Sequence, residues 1–171
     1  MLMNKGIKMK KSLIFLILFS VIFSLVSCSA KEYKDGIKVS YLTDKIKTAL
    51  PLPDGYGEHG GDYLLYRFDD IDEHIDGYSI IYSKDSSLVD LIAVFHAKSE
   101  RDVRDVEDAC KDFLEDQKAL FSSLVEQYRP DEKSKLDGAE MRTFGRYVAV
   151  CVLDKNARDK AFSIIKSELA K

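Results

Sequence analysis

Tyr147-Val-Ala-Val-Cys-Val-Leu153 is the stretch on which the fold turns, seven residues without a charge and without polar alternation. Four are aromatic or β-branched, the side chains that suit a pleated surface. A half-buried strand would alternate apolar with polar, so this one reads as a central strand covered on both faces. Just upstream, Ala139 to Phe144 reads as its partner, the pair turning at Gly145, where a two-residue Gly-x turn fits. A second pair lies earlier in the chain. Leu88 to His96 (LVDLIAVFH) has the same β-branched and aromatic content, and Tyr78 to Tyr82 precedes it across a Lys84-Asp-Ser-Ser87 hairpin loop.

Between and around the pairs the period changes to that of a helix. Apolar residues at Val39, Leu42, Ile46 and Leu50 predict one helix, ended by Pro51 and Pro53. From Ser99, with Asp102 three residues on as a capping-box-like partner, a longer one runs to Pro130. Its apolar stripe includes Val103, Val106, Cys110, Phe113, Leu114, Phe121 and Val125. About 29 residues would make it roughly 43 Å long. A last helix from about Asn156 carries Ala161, Phe162, Ile165 and Leu169. The segment 51–63, with Gly55, Gly57, Gly60 and Gly61, reads as a loop. The order predicts an α+β domain, an antiparallel sheet of about four strands packed with one long and two shorter helices.

The chain has 171 residues, room for one domain, and its 26 basic against 29 acidic residues leave a net charge of −3. That balance lacks the basic footprint of a nucleic-acid binder, so no nucleic-acid partner is expected. The charge is unevenly spread. Residues 1–27 hold Lys5, Lys8, Lys10 and Lys11 and no acid, and Lys10-Lys11 lead into the 14-residue apolar run Leu13 to Val26. A helix of that length rises about 21 Å, short of the roughly 30 Å hydrocarbon core. Basic region, short apolar region and small residues form the layout of a secretory signal peptide, complete even from Met9.

Leu25-Val26-Ser27-Cys28 resembles the lipobox of bacterial lipoproteins. The resemblance implies cleavage before Cys28, a diacylglycerol on its thiol, and attachment to the outer face of the cell membrane. Two acyl chains hold a protein on a bilayer where a single one is marginal. The chain then divides into a signal peptide at 1–27, a tether at 28–37 and one domain at 38–171. Losing four of the 26 basic residues leaves 22 against 29 acids, a mature charge of −7.

From Asp90 to Lys166 the chain also resembles a family of small lipoproteins of Gram-positive bacteria catalogued as a domain of unknown function. The likeness rests on Asp90-Leu-Ile-Ala-Val-Phe-His96, Gln117 with Phe121, Tyr128-Arg-Pro-Asp-Glu132, Leu136, Ala139 and Gly145-Arg-Tyr-Val148. Val125 to Tyr128 stands as one helical turn more than the family pattern. The resemblance implies an envelope lipoprotein and supplies no catalytic residues or cofactor. It leaves as an alternative an accessory protein or enzyme of envelope polysaccharide modification.

Candidate chemistry is sparse. Asp72-x-His74-x-Asp76-Gly77 resembles the opening of a calcium loop and marks Asp72, His74 and Asp76 as candidate ligand or cation contacts. The twelfth position from Asp72 is Ser83 rather than a bidentate glutamate, which favours a solvated acidic turn and no metal. Five tyrosines between Tyr56 and Tyr82, interleaved with acids, suit a sugar-binding groove or simple core filling. Cys110 and Cys151 fall on apolar faces, as buried free thiols or a disulfide pair. No Gly-x-Ser-x-Gly elbow and no phosphate loop is present. The expectation is therefore a non-catalytic binding or organising module with no cofactor, meeting the membrane through Cys28 and an envelope protein or glycan through its domain.

Overall fold

The computed structural model describes residues 33–171, which form one compact unit from Tyr33 to Lys171. The segment expected to be a signal peptide, with the lipobox-like residues up to Cys28, lies outside the described residues. In chain order the elements are α1 (Val39–Ala49), β1 (Tyr56–His59), α2 (Gly61–Arg67), β2 (Ile75–Ser83), β3 (Leu91–Ala97), α3 (Val103–Tyr128), α4 (Lys133–Asp137), β4 (Glu140–Phe144), β5 (Tyr147–Val152) and α5 (Lys155–Leu169). The fold is α+β. The five strands are all antiparallel in the order β1-β2-β3-β5-β4, with β3 at the centre.

Every residue of β3 and of β5 is buried, because helices cover both faces of the sheet. Alternation divides each strand between two cores. Ile92 and Val94 of β3 join Ala149 and Cys151 of β5 against α1 and α5. Ala93 and Phe95 join Val148 and Val150 against α2 and α3. Cys110 belongs to the second core and Cys151 to the first, so both thiols are free, and burial raises the pKa of each.

The β4–β5 turn falls at Gly145-Arg146, where Gly145 takes φ +62°, a left-handed conformation that glycine adopts without strain. Asp154 caps α5, its Oδ1 accepting from the amides of Asn156 and Ala157 at 3.0 Å each, a contact worth about 1 kcal/mol.

Three expectations change. The segment 51–63 is not all loop: Tyr56–His59 pairs with β2 as a fifth strand. The long helix begins at Val103 rather than Ser99. Ser99 Oγ donates to Asp102 Oδ2 at 2.6 Å, and Asp102 Oδ1 lies 3.1 Å from His74 Nδ1, so this carboxylate ties the preceding turn instead of closing a capping box. Residues 33–37, read as tether, are packed: Tyr33 bridges Ala170 and meets Phe144 edge-on at 5.8 Å.

Candidate functional site

Length mismatch creates the site. The 26 residues of α3 extend about 39 Å, whereas the seven of β3 span roughly 23 Å, so the helix overhangs the sheet. Its first half buries Val106, Cys110, Phe113 and Leu114. Further along the helix Val125 stays buried, while Leu120, Phe121, Leu124 and Tyr128 stand exposed. Between this overhang and the β2–β3 loop lies an open cleft of about 540 Å³, with Leu88, Val89, Phe121 and Leu124 among its lining.

One wall is a stack of three rings. His59 lies flat against Tyr63, centroids 3.6 Å apart at 1°, and against Tyr82 at 4.0 Å and 17°. Burial lowers the His59 pKa, because the low-dielectric surroundings disfavour the charged imidazolium. The stack depends on Gly57. Tyr82 pairs with Gly57 across the strands and lays its ring where a Cβ would be. Gly57→Ala must displace that ring. We expect a stability loss of about 1–3 kcal/mol and a His59 pKa returning toward the ordinary histidine value, read by NMR titration; an unmoved His59 would refute the dependence.

Behind the cleft sits a buried ionic triad. Lys135 Nζ reaches Asp90 Oδ2 at 2.7 Å and Glu132 Oε1 at 2.9 Å, and the Val89 amide donates to Glu132 Oε2 at 3.0 Å. Burial holds the Asp90 carboxyl above its usual range even with the ammonium beside it. Burial opposes the charge on Lys135 too, but hydrogen bonds to Asp90 and Glu132 outweigh it and raise its pKa. Arg129 pins the mouth, Nη1 donating to Ser87 Oγ at 2.5 Å while Nη2 pairs with Asp131 at 2.8 Å.

The three acidic-turn candidates do not converge on one another. The Asp72 backbone carbonyl accepts from Lys98 Nζ at 3.2 Å. Asp76 is the extra residue of a bulge between Ile75 and Gly77, and its Oδ1 lies 2.5 Å from His96 Nδ1. His74 turns to α3, its Nδ1 3.1 Å from Asp102 Oδ1 and 3.7 Å from Asp105 Oδ2. The hydrogen bond with Asp102 raises the His74 pKa. Among the described residues His74, Asp102 and Asp105 are the one group whose donor atoms could share a metal ion. None of Asp72, His74 and Asp76 lines the cleft.

Sequence reasoning missed the ring stack, because β1 is only four residues long and follows glycine-rich chain. The tyrosine cluster was the available signal. Tyr63 and Tyr82 reach the cleft, whereas Tyr56 packs in the opposite core, with its hydroxyl on the Leu50 carbonyl at 2.7 Å. Several residues that carry the family likeness also gather here: Asp90, Gln117, Phe121, Tyr128 and Arg129 line the cleft, and Glu132 stands behind it.

The fold and cleft define an α+β domain built around a helix that outreaches its sheet. The chain belongs to the family described as Domain of unknown function (DUF4358), whose model matches residues 61–153, from α2 through β5. No curated protein and no solved structure matches it.

Proposed function

We propose that the chain is an extracytoplasmic lipoprotein of a Gram-positive envelope, anchored to the outer face of the cell membrane through diacylglycerol on Cys28. Its domain acts as a non-catalytic binding or organising module. The anchor rests on the sequence from Lys10 to Cys28. The observation that carries the binding role is the 540 Å³ cleft, lined by apolar side chains that α3 leaves exposed beyond the sheet. Its partner is an envelope protein or glycan that offers an apolar surface. The one carboxylate in the lining, Asp90, is held by Lys135, and the acidic run from Asp69 to Asp76 lies elsewhere, which favours binding over acid–base chemistry.

Both parts are tested in cells producing the full chain. Cys28→Ala should release the protein from membranes and abolish labelling with a palmitate analogue; unchanged retention and labelling would refute the anchor. A photo-crosslinking residue at Leu124 should capture a neighbour that the same group at Lys166, on the α5 side of the sheet, does not. Equal capture, or none at Leu124, would remove the cleft from the function.

A further inference from the structure

The chain enters the fold at one end of the sheet, and the cleft lies at the other. Arg146, in the β4–β5 turn, grips both carboxylate oxygens of Asp35, with Nη2 2.5 Å from Oδ2 and Nε 3.0 Å from Oδ1. The Lys34 amide donates to the Leu169 carbonyl at 2.7 Å, Tyr33 bridges Ala170, and the Tyr147 hydroxyl donates to the Ile37 carbonyl at 2.8 Å. These contacts fix Tyr33 beside the β4–β5 turn, against the core that α1 and α5 cover. That turn lies at the Ala97 end of the sheet, because Tyr147 pairs with His96 and Val152 with Leu91. The cleft lies at the Leu91 end and on the opposite face, beside α3.

This separation exceeds the reach of the anchor, given the lipid attachment to Cys28 proposed above. Tyr33 is five residues after Cys28, and a chain of that length extends at most about 18 Å. The seven residues of β3 alone span roughly 23 Å from one end of the sheet to the other. α3 starts at the anchored end, where Asp102 Oδ1 lies 3.1 Å from His74 Nδ1 and the His74 carbonyl accepts from the Lys98 amide. From Asp102 it rises about 27 Å to Leu120 and about 39 Å to Tyr128. A bilayer within reach of Cys28 meets the β4–β5 turn and cannot also cover Leu120 to Tyr128. We propose that the domain stands on its anchored end and presents the cleft away from the bilayer, to an apolar-faced segment of a partner protein.

A protein occupant, rather than a glycan, follows from the lining. Leu88, Val89, Phe121 and Leu124 offer apolar surface. The charged groups are already spent: Asp90 on Lys135, and Arg129 on Ser87 and Asp131. Sugar hydroxyls buried there would lose water without gaining partners, which costs free energy. Apolar side chains buried there lose nothing and leave water, which is favourable.

The test uses the acylated full-length mature protein in vesicles of phosphatidylcholine and phosphatidylglycerol with a gadolinium-chelating lipid. Relaxation enhancement of amides falls steeply with distance from the bilayer. A separation of about 18 Å against about 27 Å or more makes it about tenfold smaller at Leu120 to Tyr128 than at Phe144 to Tyr147. Inserting about 20 glycine and serine residues between Glu32 and Tyr33, a mean reach of about 25 Å, should largely erase that contrast. In cells, a photo-crosslinking residue at Leu124 should form adducts that protease digests and that carry no labelled lipid, and Phe121→Asp should abolish them. Equal enhancement at both ends, a contrast that survives the longer tether, or a lipid adduct at Leu124 would overturn the orientation and leave the binding role of the cleft standing. An adduct that only a muramidase releases, or no adduct, would overturn the protein partner. No enhancement at either end would remove the anchor, and the orientation with it.

Discussion

Lys135→Met should destabilise the domain by about 3–5 kcal/mol at neutral pH, the cost of removing one partner from a buried ion pair. The ammonium stands between two carboxylates that have almost no water of their own: Asp90 is 6% and Glu132 3% exposed. Methionine fills much of the same volume, so packing is nearly conserved and the loss is electrostatic. Glu132 cannot turn away, because it accepts from the Val89 amide at 3.0 Å. The sign of the pH dependence follows. Burial already raises the folded-state pKa of Asp90, and removing the cation raises it further. An acid whose folded pKa exceeds its unfolded value stabilises the fold in acid and loses that contribution as pH rises through its titration. The deficit of the variant should therefore shrink between about pH 7 and about pH 4, where an ordinary carboxyl near 3.9–4.3 begins to protonate. Urea unfolding at several pH values reads this directly. A cost under about 1 kcal/mol, or one that does not change with pH, would show that the triad is not an electrostatic unit.

How far the sequence reached depended on where each residue's information lay. β3 and β5 were legible because burial on both faces leaves an uninterrupted apolar run, and nothing but a covered strand explains Tyr147 to Leu153. The outer strand β1 was not, since Tyr-Gly-Glu-His has neither length nor alternation and its place is fixed by pairing with Ser83 to Ile80. The stripe on α3 is buried at Val106, Cys110, Phe113, Leu114 and Val125, but no local pattern says that Leu120, Phe121, Leu124 and Tyr128 stay exposed beside the cleft. The fold parts the residues of the acidic turn for a related reason. Asp72, His74 and Asp76 are neighbours in sequence, yet a 3-10 turn and a β-bulge send His74 to α3 and Asp76 to His96. The ion pairs of Asp35 with Arg146 and of Asp90 with Lys135 join residues far apart in the sequence, pairings that only the topology supplies.

Phe113→Ala tests the other kind of stabilisation and reaches the cleft by a different route. Phe113 is 1% exposed, stacks on Phe68 with centroids 4.3 Å apart, and carries the Arg67 guanidinium 5.7 Å over its ring. Phe68 in turn meets Phe95 of the central strand edge-on at 4.9 Å. Truncating a buried phenylalanine costs about 3–5 kcal/mol through lost transfer energy and the cavity left behind. Phe68 directly follows α2, so withdrawing its support also loosens the helix that holds Tyr63 against His59. The His59 pKa, lowered by burial, should then rise toward the ordinary histidine value. No carboxylate is stranded, so between about pH 7 and about pH 4 the cost should fall only by what the recovered His59 pKa returns, and should not follow carboxyl titration. A deficit that follows carboxyl titration in Lys135→Met and not in Phe113→Ala separates a buried charge left unpaired from a cavity in the same half of the domain. If Phe113→Ala destabilises as expected while His59 keeps its lowered pKa, the ring stack is held by the sheet through Gly57 and Tyr82 and owes nothing to α3.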